Sequence, residues 1–75
     1  MPKLPVLKSS ELVRILLKLG FEESKETGTS HLVFRHADKR RTTVSRHSGK
    51  DIPTGTLRSI LRDIELTTEQ LKKLL

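Results

Sequence analysis

The 75-residue chain carries a formal net charge of +6, 33% hydrophobic residues, two aromatics (Phe21 and Phe34) and no cysteine. That length allows one domain with a small aliphatic core, and the lack of cysteine excludes a disulfide framework and thiolate metal sites. No apolar run approaches the length of a bilayer span, and the Pro-punctuated stretch 1–8 does not read as a signal peptide, so a cytoplasmic protein with no membrane attachment is expected.

After the lead-in, Ser9 or Ser10 offers an N-cap for a first helix. Leu12, Ile15, Leu16 and Leu19 recur at i, i+3, i+4 and i+7, and Val13 and Leu17 widen the stripe. Gly20 stands where a left-handed residue would end that helix. A first strand is expected over 21–27, placed by position more than composition, because Glu22, Glu23 and Glu26 are poor strand formers. Gly28 permits a tight reversal, and a second strand over 31–36 puts Leu32 and Phe34 on one face and His31, Val33 and Arg35 on the other. If Leu32 and Phe34 face the core, His31 stands near a turn on the solvated face. His36 falls on the opposite face from His31, or at the frayed end of the strand, where a structural or solvated role is expected.

The polar turn 37–40 leads to a third strand over 41–44. A charged, small-residue loop over 46–51 then delivers Ile52 and Pro53, with proline suited to the first turn of a second helix. Leu57, Ile60, Leu61 and Ile64 form its apolar stripe, and Arg58 and Arg62 lie outside it. Thr67-x-x-Gln70 has the form of a capping box, with Leu66 and Leu71 as a hydrophobic staple for a short last helix. Leu71, Leu74 and Leu75 are expected to pack on the core.

These elements predict one α+β domain over 1–75, ordered α-β-β-β-α with a short C-terminal helix. Closely spaced strands favour an antiparallel meander, and two singly amphipathic helices favour one sheet face. That is the topology of a double-stranded-RNA-binding-like domain with its other sheet face open. Between positions 25 and 50, seven basic residues face two acidic ones, a net of +5. Lys25, Arg35, Lys39, Arg40, Arg41, Arg46 and Lys50 are therefore the candidate RNA-binding residues, the alternative being an ordinary solvated charged face. Three histidines at 31, 36 and 47 lack the spacing of a zinc helix motif, so no metal or other cofactor is expected.

Three blocks, Gly28-Thr-Ser-His31-Leu-Val-Phe34, Thr43-Val-Ser-Arg-His47-Ser-Gly-Lys-Asp-Ile52 and Gly55-Thr-Leu-Arg-Ser-Ile-Leu61, together resemble the HicA toxins of bacterial toxin-antitoxin pairs. The resemblance implies a small ribonuclease that cleaves messenger RNA, arrests translation and growth, and is held inactive by a HicB antitoxin. It places the family's catalytic histidine on His31. Two positions depart from the family pattern: Thr29 separates Gly28 from Ser30-His31, and Ser45 stands where proline is commoner.

The chemistry needs only side chains that are present. RNA carries its own nucleophile, so cleavage requires a base for the 2′-hydroxyl proton, an acid for the leaving 5′-oxygen and positive charge on the phosphate. Histidine serves either proton-transfer role near neutral pH. His31 is the candidate base or acid, Gly28 and Ser30 would position it through the turn, and Lys25, Arg35 and Arg46 would bind phosphates. His47 is the leading candidate for the second proton-transfer group, the alternatives there being an RNA contact or a helix cap. A non-catalytic RNA-binding module of the same fold is the competing function.

Overall fold

The computed structural model describes residues 4–24, 31–45 and 50–75. Along the chain run α1 (Ser9–Lys18), β1 (Glu22–Ser24), β2 (His31–Arg35), β3 (Arg41–Ser45), α2 (Thr54–Asp63) and α3 (Thr68–Lys73). The strands form one antiparallel sheet in the order β1-β2-β3, which is the expected α+β meander.

The first helix starts at Ser9, as expected, but its N-cap lies one residue before the expected cap positions. Lys8, not Ser9 or Ser10, is the extended N-cap residue, and its N–H donates to the Glu11 carboxylate at 3.0 Å. The cause is tertiary. The Leu7 carbonyl accepts from the Ile52 N–H at 2.8 Å and Lys8 bridges to Asp51, so the strand-like entry holds Lys8 extended and draws Ser9 into the helix.

At the other end α1 closes as the sequence predicts. Gly20 takes φ +95°, its N–H bonds the Leu17 carbonyl, and the Phe21 N–H bonds the Leu16 carbonyl. This pair of bonds is the Schellman stop. It also shortens β1, because the Phe21 N–H is spent on the helix and its side chain enters the core. The ladder covers Glu22–Ser24, and positions 25–27 of the expected strand lie outside the described residues.

Leu12, Ile15 and Leu16 of α1 meet Leu57, Ile60, Leu61 and Ile64 over Phe34 and Val44 of the sheet. Leu71 joins them from α3, and Leu32, Leu66 and Leu74 pack at the margin, whereas Leu75 is exposed. Pro53 is the N-cap of α2 and so precedes the helical turn it was expected to occupy. That helix ends in a second Schellman stop, with Glu65 at φ 56° in the place glycine usually takes. The capping box of α3 forms as expected: Gln70 N–H donates to the Thr67 hydroxyl at 3.1 Å, and Thr67 N–H to the Gln70 side chain at 2.9 Å.

Candidate active site

His31 opens β2 with an exposed side chain, on the face turned away from Phe34. The sheet register builds its surroundings in three rows across the strands. Ser45 lies opposite His31; Ser24 and Thr43 flank Val33; Glu22 and Arg41 flank Arg35. Arg35 lies four positions beyond His31, so the backbone runs about 13 Å from the His31 row to the arginine row.

Arg35 and Arg41 are direct cross-strand partners and both are exposed. Like charges placed opposite each other repel. Neither guanidinium has an ion-pair partner within 4.0 Å among the described residues. Glu22 lies across from Arg35 on its other side, so the row runs from one carboxylate to two guanidiniums. The middle row is less open than the alternation suggests: Val33 is 5% exposed although it is not part of the main core cluster.

His36 turns to the helix side. Its Nε2 donates to the Leu19 carbonyl at 3.2 Å, and its ring meets Phe21 edge-on with centroids 4.9 Å apart. A carbonyl only accepts, so the hydrogen on Nε2 is required by this bond. Nδ1 lies 3.1 Å from the Asp38 N–H and 3.0 Å from the Asp38 carboxylate. Uncharged, it accepts from the former; charged, it donates to the latter. His31 in β2 and His36 just past its end thus turn to opposite faces, and of the structural and solvated roles expected of His36 its partners fit the structural one.

The basic residues divide in the same way. Arg40 is held by the molecule itself: Nε donates to Asp38 at 2.7 Å, Nη1 donates to the Ile64 carbonyl at the end of α2, and the guanidinium lies over the Phe21 ring at 5.2 Å. Desolvation pushes the Asp38 carboxyl up, but the Arg40 N–H, the Arg40 guanidinium and His36 together hold it below its ordinary value of 3.8. Lys39 is exposed in the hairpin turn at φ 81°, and Lys50 is exposed ahead of Asp51. Lys25, Gly28, Ser30, Arg46 and His47 lie outside the described residues.

Sequence reasoning did not find Ser45 as the neighbour of His31, because a cross-strand partner is known only once the register is known. It also could not tell Arg40 from its neighbours Lys39 and Arg41, since three consecutive basic residues look alike until the turn points one of them inward.

No curated protein matches the chain at a significant level. A family model described as the HicA toxin of bacterial toxin-antitoxin matches residues 9–66, from the first turn of α1 to just past the stop of α2. With well over half of its length inside that match, and with the α-β-β-β-α-α architecture described above, the chain belongs to the HicA toxin family.

Proposed function

We propose that this HicA-family toxin is a metal-independent endoribonuclease that cleaves messenger RNA, with His31 as a catalytic residue, and that a HicB-type antitoxin neutralises it. The observation that supports this best is the position of His31: an exposed imidazole at the start of β2, with the exposed Arg35 and Arg41 guanidiniums further along the same sheet face, neither ion-paired among the described residues. RNA binds along this face through counterion release, and a phosphate is drawn to the arginine row while a neighbouring one reaches the imidazole.

The 2′-oxygen attacks its own phosphorus as its proton leaves, the 5′-oxygen bond breaks, and the leaving oxygen gains a proton. The products are a 2′,3′-cyclic phosphate and a free 5′-hydroxyl. His31 takes the first proton or supplies the second, and imidazole is suited to either. His47 is the proposed partner in the exchange, Gly28 and Ser30 are proposed to position His31, and Lys25, Lys39, Arg46 and Lys50 to bind phosphates of the RNA. Arg40 leaves the RNA-binding set because its guanidinium is already engaged. An antitoxin that blocks His31 meets the same basic surface, so an acidic antitoxin face is expected.

The test is incubation of purified protein with a long single-stranded RNA in excess chelator, beside His31→Ala shown to be folded by circular dichroism. Cleavage by the wild type alone, with cyclic phosphate ends, is expected. Binding by both proteins with cleavage by neither would leave the RNA-binding module as the function.

A further inference from the structure

Direct cross-strand partners share a face of the sheet, so the strands lay out three rows on the His31 side. His31 stands beside Ser45, Val33 between Ser24 and Thr43, and Arg35 between Glu22 and Arg41. The rows follow one another at about 7 Å along the strands. Apart from the His31 ring, they offer three hydroxyls, two guanidiniums and one carboxylate around the buried Val33.

A surface for a base is what these rows lack. The chain has no tryptophan or tyrosine, and its two phenylalanines, Phe21 and Phe34, are 2% and 0% exposed within the core. Val33 is too enclosed to serve as an apolar platform. Proteins that read single-stranded RNA by sequence splay its bases onto aromatic rings or arginine planes and hydrogen-bond their edges. Here the aromatic platform is missing, and the net charge of +5 between positions 25 and 50 favours phosphates for the two guanidiniums.

The hydroxyls of the sheet divide by face. Thr42 turns to the helices and donates to the Asp63 carboxylate at 3.0 Å. The side chains of Thr43, Ser24 and Ser45 make no hydrogen bond among the described residues. Thr43 is exposed, and neither half-buried serine has an enclosed oxygen without a partner, so all three hydroxyls are open to a ligand. A hydroxyl both donates and accepts. So does the RNA 2′-hydroxyl, the group by which a protein tells RNA from DNA.

We propose that this face holds RNA by its sugar-phosphate backbone and reads no base. Arg35 and Arg41 take phosphates, while Thr43, with Ser24 and Ser45 beside it, takes 2′-hydroxyls and selects RNA over DNA. The toxin is then tolerant of sequence, and the place of the cut is set by where the strand is flexible enough for in-line attack. This deepens the ribonuclease reading above and rests on it for the identity of the polymer.

The experiment is fluorescence anisotropy at fixed salt with labelled oligo(A), oligo(C), oligo(U) and a mixed-sequence RNA, each beside the DNA of the same bases. Full-length His31→Ala is used so that no strand is cut. The four RNAs are expected to bind within about threefold of one another, and each more tightly than its DNA. Thr43→Val, which keeps the shape at an exposed position, is expected to weaken RNA about fivefold. DNA affinity and the salt slope should stay as they are, a pattern that a merely structural role for Thr43 does not produce.

One RNA bound more than tenfold tighter than the others would overturn the proposal, because a base would then be read. Equal affinity for RNA and DNA, or an equal loss of both in Thr43→Val, would overturn it too. Since binding is measured without cleavage, the two readings fail separately. Cleavage by the wild type with a strong base preference in binding sinks the backbone reading only, and sequence-tolerant RNA binding without cleavage by the wild type sinks the ribonuclease only.

Discussion

The His36 Nε2 atom donates to the Leu19 carbonyl across 3.2 Å, joining the end of β2 to the last turn of α1. Gly20 makes the approach possible: a Cβ there would come within 3.3 Å of the same nitrogen. His36→Ala removes this bond and the edge-on packing against Phe21, and should cost about 2 kcal/mol in urea unfolding. Per folded molecule its RNA cleavage should be unchanged. His31→Ala should do the reverse, keeping stability within about 0.5 kcal/mol and abolishing cleavage.

Lys39 and Glu65 hold left-handed backbone without being glycine, at φ 81° and 56°. Lys39 closes a three-residue hairpin loop in which His36 N–H bonds the Arg40 carbonyl, and Glu65 ends α2. Replacing either by glycine should stabilise the protein by about 0.5–1 kcal/mol, read from the denaturation midpoint. Gly20→Ala should destabilise it by at least ~1 kcal/mol, since φ +95° disfavours a side chain and the new methyl presses on His36.

Asp38 accepts from the Arg40 backbone N–H at 3.0 Å and from its guanidinium at 2.7 Å, and its carboxyl titrates below the ordinary 3.8. A carboxylate favoured in the folded state binds fewer protons there than in the unfolded chain. Its contribution is therefore complete above about pH 4 and is lost as pH falls through the lowered folded value. Chemical denaturation across pH should show wild type more stable than Asp38→Asn above about pH 4, with the margin closing as pH falls below that.

Arg35 and Arg41 oppose each other across β2 and β3, and although Glu22 lies across from Arg35 on its other side, neither guanidinium makes an ion pair within 4.0 Å among the described residues. Arg41→Ala should lower RNA affinity and flatten the dependence of log affinity on log salt, by roughly 0.7 in slope for each single-strand phosphate it no longer neutralises. Relief of the cross-strand repulsion should leave stability unchanged or slightly raised. Arg40→Ala should behave oppositely: an unchanged salt slope and a lower melting temperature, because its guanidinium serves Asp38, Ile64 and Phe21.

Features set within a few residues were legible from the sequence by itself. The glycine stop of α1, the Thr67 and Gln70 capping box, the alternation that separates His31 from Phe34 and the order of elements all depend on local dihedral preference and hydrophobic period. Even the opposite orientations of His31 and His36 followed from strand pleat alone. What the tertiary structure decided were relationships between distant segments. The Leu7 to Ile52 bond moved the cap of α1 to Lys8, the helix end at Ile64 captured Arg40 out of three adjacent basic residues, and the sheet register set Ser45 beside His31. Each depends on which surfaces meet when the core closes, a choice made by packing the two helices against the sheet and not by any short stretch of chain.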